Sequence, residues 1–129
     1  VPPDARSLRN PLPASPHTRR KGAQLFLKHC AVCHGENGRG DGPAAKDLKT
    51  PPANLTAHRE MARMAEGEIF WKIAQGRDPM PPFRRLMRDE EIWLLTHYVR
   101  EIVRTGGAPP AVEAAFPLGQ FPAADDDCP

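Results

Sequence analysis

Apolar residues recur at helical spacing in three stretches of the chain. In the first, Ala23, Phe26, Leu27 and Cys30 stand at i, i+3, i+4 and i+7, while Arg19, Arg20, Lys21 and Lys28 occupy the other faces. Ser15 before Pro16 supplies a capping side chain and then a proline where its missing N–H costs nothing. A helix is predicted from about Pro16 to about Cys30. The second stretch, Glu66–Gln75, turns Ile69, Phe70 and Ile73 inward and has Gly76 as its stop. The third opens on Asp89, Glu90 and Glu91, whose charge suits a helix N-terminus. It carries Ile92, Leu95, Val99, Ile102 and Val103 and ends before Gly106 and Gly107.

A shorter helix over residues 57–64 fits behind Thr56, with Met61 and Met64 on one side. Residues 35–55 are punctuated by Gly, Pro, Asn and Asp and read as a loop, with room for a turn of helix at Ala44–Leu48. In RDPMPPF, residues 77–83, three prolines exclude helix and strand alike. No stretch alternates with period two. The expected architecture is all-α: three main helices, a minor one and long loops.

That inventory leaves a gap. Loops of about 20 residues are uncommon in a compact domain, and three narrow stripes make a thin core. A large, flat, apolar cofactor would fill the middle.

Composition divides the chain in three. Of 16 prolines, five lie in residues 1–16 and five in residues 105–129, which leaves six for the 88 residues between. Residues 1–15 therefore read as a proline-rich arm, either an extended tail or wrapping, 16–104 as the folded unit and 105–129 as a Pro/Ala-rich acidic tail. Residues 17–104 hold 16 Lys/Arg against 11 Asp/Glu, whereas the tail has Glu113, Asp125, Asp126 and Asp127 and no basic residue. Such a tail is expected to stay solvated, the alternative being that it folds back onto the basic middle. A net charge of +2 gives no case for nucleic acid. No run of 18 apolar residues is present, so no transmembrane segment is expected, and the first residues show no charged-then-apolar leader.

The chemistry lies in CAVCH, residues 30–34, which holds two of the three cysteines. C-x-x-C-H is the attachment pattern of c-type haem. Two thiols add across the two vinyl groups of one porphyrin edge, and one turn of chain between them places both sulfurs on that edge. The next imidazole is then aimed at the iron. Cys30 and Cys33 become the thioether tethers of one covalently bound haem c and His34 the proximal iron ligand. A zinc site would have only Cys128 as a third thiol, and a redox dithiol would need a βαβ frame that is absent from the pattern.

The sixth iron position has several candidates: Met61, Met64, Met80, Met87, His17, His29, His58 and His97. Met80 is favoured. Between Pro79 and Pro81 its backbone is held extended, so a thioether can be delivered at a set depth. Met61 and Met64 stand at helical spacing, as gap-filling methionines do, and Met87 is the main competitor. A His/Met pair sits at higher potential than a His/His pair, and a filled sixth position leaves no place for substrate. Both favour electron transfer over oxygen chemistry, so the chain is expected not to be an enzyme itself.

These residues resemble the class I cytochromes c over roughly residues 16–104. Gly22 and Phe26 stand eight and four residues before Cys30, as in that family's first helix. Leu95 and Tyr98 resemble the C-terminal helix that crosses it. Pro43 in GDGP resembles the proline whose carbonyl accepts the proximal histidine's N–H. Met80 in MPPF resembles the distal loop. The Phe70-Trp71 pair is similar to the small bacterial monohaem type found in respiratory complexes. The RNPLPASP stretch resembles the monohaem subunit of alternative complex III. Trp71 is expected either to pack in the core or to reach a haem propionate through its indole N–H.

The resemblance implies the cytochrome c fold and a one-electron carrier serving redox protein partners of a respiratory or photosynthetic chain. It also implies assembly in the periplasm, on the outer face of the cytoplasmic membrane, as a subunit of or docked on a membrane complex, or held there peripherally or by a lipid anchor. The basic residues Arg77, Arg84, Arg85 and Arg88 near the distal loop are expected to steer an acidic partner or to remain a solvated run paired with Asp78, Asp89 and Glu90. The competing reading is a haem-based sensor or enzyme accessory domain with a labile sixth ligand.

Overall fold

The structure, a computed structural model, describes residues 2–107 apart from the side chain of His58; the acidic residues from Glu113 onward and Cys128 lie outside the described residues. In chain order the helices are α1 Pro3–Arg6, α2 Pro16–His29, α3 Ala31–His34, α4 His58–Met61, α5 Glu66–Gln75 and α6 Asp89–Thr105. Single 3₁₀ turns occur at Ala45–Asp47 and Phe83–Arg85. Among the described residues there is no strand, only an isolated antiparallel bridge between Arg77 and Met80. The fold is all-α.

Helix α2 starts where its caps dictate. Ser15 Oγ accepts from the Thr18 N–H at 3.1 Å, and Thr18 Oγ1 accepts from the Ser15 N–H at 2.9 Å. This reciprocal box satisfies two otherwise orphaned donors. At the start of α6, Glu91 Oε1 accepts the Arg88 N–H at 2.9 Å, and Gly106 closes the helix in the left-handed conformation at φ 75°.

The two long helices cross at Gly22. A Cβ placed there would lie 2.9 Å from Tyr98 Cβ and closer still to the Leu94 carbonyl oxygen. The missing side chain is what lets the backbones approach. The Tyr98 ring lies against Phe26, centroids 5.3 Å apart and tilted by 56°. Ile92, Leu95 and Ile102 of α6 are fully buried beneath this crossing. Phe70 of α5 stacks on Trp93 of α6 at 4.1 Å.

The arm before α2 lies against the folded unit. Pro3–Arg6 form a helical turn with Ala5 buried, seated on α5 at Gly67, where an added Cβ would meet the Leu8 Cβ at 2.7 Å. The first helix runs where it is expected, Pro16–His29 with Cys30 as its C-cap, directly into the CAVCH turn. The helix expected over residues 57–64 contracts to His58–Met61.

The arm is held by backbone-directed bonds. Asn10 Nδ2 donates to the Trp93 carbonyl at 3.0 Å, Asn10 Oδ1 accepts from the Leu12 N–H at 3.0 Å, and His97 Nε2 lies 2.8 Å from the Leu12 carbonyl. Asn10→Ala removes two of these and leaves the Leu12 N–H without its Asn10 partner, while the Trp93 carbonyl keeps its place in the α6 ladder, so the unfolding free energy should drop by about 1–2 kcal/mol. Guanidinium titration reads this directly. An unchanged midpoint would mean that the arm contributes nothing to the fold.

Candidate haem site

The CAVCH turn is built by the glycine-rich loop that follows it. A helix end leaves four carbonyls without partners. Here each finds one: Ala31 O accepts from the Gly35 N–H (2.8 Å), Val32 O from Ala44 (2.9 Å), Cys33 O from Gly42 (3.0 Å) and His34 O from Gly40 (2.7 Å). The loop folds back over the turn so closely that a Cβ on Gly42 would lie 2.5 Å from the Ala31 carbonyl oxygen. Gly35, Gly38 and Gly40 all take positive φ, between 79° and 85°, where an L side chain is strained. The glycines of residues 35–42 are thus a cap for the five chemical residues. Sequence reasoning saw a loop and missed this role, although the signal, glycine at alternate positions directly after CAVCH, was there to read.

Within the turn, the Cys33 and His34 N–H groups both donate to the Cys30 carbonyl, at 3.2 and 2.9 Å. One helical turn therefore separates the two sulfurs. Cys30 and Cys33 are not joined in a disulfide. Cys30 is buried, and that burial, with a smaller contribution from Cys33, pushes its thiol up to about 12. It is protonated at neutral pH and unsuited to thiolate exchange chemistry.

His34 Nδ1 lies 3.1 Å from the Ala53 carbonyl oxygen. A carbonyl can only accept, so Nδ1 carries the proton and the Nε2 lone pair is left for a metal. Burial lowers the His34 pKa, and the Ala53 bond opposes that shift in part. The neutral, ligating form is favoured. The loop reaches the imidazole through Ala53, because Gly42 and Ala44, on either side of Pro43, are drawn onto the Cys33 and Val32 carbonyls.

The distal loop is a tight reversal. Arg77 N–H donates to Met80 O at 3.0 Å and Met80 N–H to Arg77 O at 2.7 Å. Gly76, at φ 68°, permits it: a Cβ there would lie 2.5 Å from the Pro81 carbonyl oxygen. Met80 is half-buried against the same apolar cluster that contains Cys30 and Ala31. The other methionines are engaged differently. Met61 and Met87 are buried core residues, and Met64 Sδ takes a bond from Lys72 Nζ at 3.8 Å. Among the candidate histidines, His97 is committed to the arm and His29 lies edge-on to Phe83 at 6.2 Å. The His58 side chain lies outside what is described. Trp71 is half-buried on α5, while Trp93 holds the core position beside Phe70.

The donor chemistry fits haem c. Two cysteine sulfurs stand one turn apart beside an apolar cluster, followed by an imidazole whose tautomer leaves Nε2 available. A structural zinc cage fits poorly, since no three His, Cys, Asp or Glu side chains converge among the described residues.

Comparison with known proteins gives the same picture. The family described as cytochrome c oxidase, cbb3-type, subunit III, matches residues 17–99. Cytochrome c6 of Anabaena variabilis is 35% identical over 78 residues, covering 60% of this chain and 84% of that protein. The cbb3-type cytochrome c oxidase subunit FixP of Azorhizobium caulinodans is 47% identical over 98 residues, covering 75% of this chain but only 31% of FixP. Among solved structures, a chain of the Kuenenia stuttgartiensis reducing HAO-like protein complex superposes with a TM-score of 0.65 at 29% identity, over 76% of this chain and 48% of that one. The KustC0563 c-type cytochrome gives 0.55 at 27% identity, over 63% and 95%. The match over residues 17–99 encloses both the crossing at Gly22 and the capped CAVCH turn, and on that ground the chain belongs to the cytochrome c family of haem-bearing electron-transfer proteins.

Proposed function

We propose that the chain is a one-electron carrier with a single haem c, tethered by Cys30 and Cys33 and ligated by His34 and Met80. When bound, that group supplies an iron that alternates between ferric and ferrous, one electron at a time. The observation that carries the reading is the Nδ1–Ala53 bond within a turn whose terminal carbonyls are all satisfied. It fixes the imidazole's orientation and makes it a better donor, as partners of metal-bound histidines do. The apolar cluster around Cys30 excludes water from the tethered edge, and the Arg77–Met80 reversal presents a soft thioether in a prearranged loop.

Partners are proposed to dock beside the distal loop. Arg77, Arg84 and Arg85 have no carboxylate within ion-pairing distance among the described residues, whereas Arg88 pairs with Glu91 at 3.4 Å. Self-pairing of this run among the described residues is thereby confined to Arg88. Leu86 and Val32, each about half exposed, add apolar contact area. Free cations rimming apolar residues suit an acidic redox partner and raise its association rate. The likeness to an oxidase subunit supports service to a membrane respiratory complex on the outer face of the cytoplasmic membrane. No helix among the described residues is long and apolar enough to cross a membrane.

Two measurements test the reading together. Acidified acetone should leave the pigment on the polypeptide, and the reduced protein should bind carbon monoxide poorly because the sixth position is filled. Pigment that washes away would remove the tether. Rapid carbon monoxide binding would replace the carrier with the sensor reading.

A further inference from the structure

A second groove lies away from the CAVCH turn, on the outer side of α6. It is a cavity of about 390 Å³ with Met61, Met64 and Ile69 on its apolar side and Arg19, Arg100 and Arg104 among its polar lining. Its cations are only partly matched. Arg104 grips Glu101 at 2.8 and 2.9 Å, but Arg19 reaches the same carboxylate only at 4.0 Å, and Arg100 reaches Glu66 only at 3.9 Å. Three guanidiniums thus share two carboxylates, beside an apolar floor.

The chain leaves α6 next to this groove. Arg104 and Thr105 are the last residues of the helix, and the N–H groups of Gly106 and Gly107 both return to the Ile102 carbonyl, at 2.9 and 3.2 Å. That pattern reverses the chain direction at a helix end. Gly107 sits beside Thr56, where an added Cβ would lie 3.5 Å from Thr56 Cγ2. Thr56 stands two residues before α4, whose Met61 forms part of the groove floor.

The sequence that follows Gly107 has the complementary chemistry. Residues 108–129 carry Glu113, Asp125, Asp126 and Asp127 with no Lys or Arg, and they bring Phe116, Leu118 and Phe121. Reach is ample. Nine residues from Gly107 to Phe116 span up to about 30 Å when extended, and the groove runs along only two turns of α6, about 10 Å.

We propose that the acidic, aromatic segment 113–127 of this chain docks in the groove bounded by α4, α5 and α6, its aromatic and leucine side chains on the methionines and its carboxylates on Arg19 and Arg100. Docked there, the strap neutralises the arginines on this side of the molecule. The run at Arg77, Arg84 and Arg85 is then the basic face that remains open to an acidic partner.

The chain carries its own reporter. Lys72 Nζ lies 3.8 Å from Met64 Sδ, at the groove floor. Carbodiimide joins an amine to a carboxylate in contact with it. In the full-length holoprotein at low salt, Lys72 should couple to Glu113 or to Asp125–Asp127, and Lys21 and Lys28 of α2 should not. High salt or the pair Arg19→Glu and Arg100→Glu should suppress the product. Coupling spread equally over all lysines would overturn the proposal. So would coupling found only between chains, read by mixing isotopically heavy and light protein, since the occupant would then be a second copy.

An independent readout is peroxide oxidation of Met64. It should run about tenfold faster in a chain ending at Gly107, the ratio given by 1.4 kcal/mol of docking. An unchanged rate, in a variant whose visible and far-ultraviolet spectra match the parent, overturns the strap as well. Neither readout depends on electron transfer, so each can fail or succeed whatever becomes of the carrier reading.

Discussion

Gly22→Val is expected to lower the unfolding free energy by about 3–5 kcal/mol, which is a large share of the roughly 5–15 kcal/mol a domain possesses. The argument sets two opposed effects against each other. Removing a helical glycine gains up to about 1 kcal/mol from the unfolded chain's lost freedom. Against this, the first atom of any side chain at this site comes within 2.9 Å of Tyr98 Cβ and nearer still to the Leu94 carbonyl oxygen. Neither neighbour is a flexible side-chain end. One is backbone and the other is a Cβ fixed to it, so α2 and α6 must separate. Separation opens the interface that buries Phe26, Leu95 and Tyr98. Overpacking of this kind costs about 1–3 kcal/mol where side chains can yield and more where they cannot. Gly22→Ala should fall between the parent and the valine variant and still destabilise. Tyr98→Phe is the control: the phenol oxygen is buried with no hydrogen-bond partner among the described residues, so its loss should be nearly neutral. Guanidinium unfolding of the holoprotein measures all three. A valine variant as stable as the parent would mean that the helices do not meet at this notch.

The same residues show what a linear reading reaches. Helices α2 and α5 were legible because each buries one face, which periodicity reports without knowledge of what covers it; α6 showed its 92/95/99 stripe but is buried on nearly every side over residues 91–99. The covering elements were not legible. The arm's anchor, Asn10 to the Trp93 carbonyl, joins residues 83 apart through a backbone acceptor, which every residue has and no composition betrays. His97 fell outside the apolar stripe and was weighed as an iron ligand. It is buried because the arm lies over it. The proximal site was half legible. Chemistry alone picks out Cys30, Cys33 and His34. The carbonyl that orients the imidazole belongs to Ala53, 19 residues further on, and main-chain oxygens leave no mark in a sequence. The glycine loop shows the reverse case. Its residues were noticed as breakers, yet their role is to let four N–H groups reach four carbonyls.

If Met80 fills the sixth position as proposed, Met80→Ala should open that position to external ligands. The variant is expected to lose the weak sulfur-to-ferric-iron band, to take up carbon monoxide rapidly when reduced, and to show a midpoint potential lower by something on the order of 0.1 V, within the roughly 0.8 V that axial ligands span. Met87→Ala should leave all three signatures in place. The contrast follows from where the two thioethers sit. Met87 is 4% exposed, inside the cluster that holds Phe83 and Ile92, so truncating it creates a cavity worth about 2–4 kcal/mol and acts on stability. Met80 stands half-buried on a loop pinned by its own pair of backbone bonds to Arg77. Cutting its side chain back leaves those bonds intact, so the loop persists while the donor disappears. A variant pair with the opposite behaviour, band lost in Met87→Ala and kept in Met80→Ala, would transfer the distal role to Met87. It would also make the reversal at Gly76 a structural turn with no part in ligation.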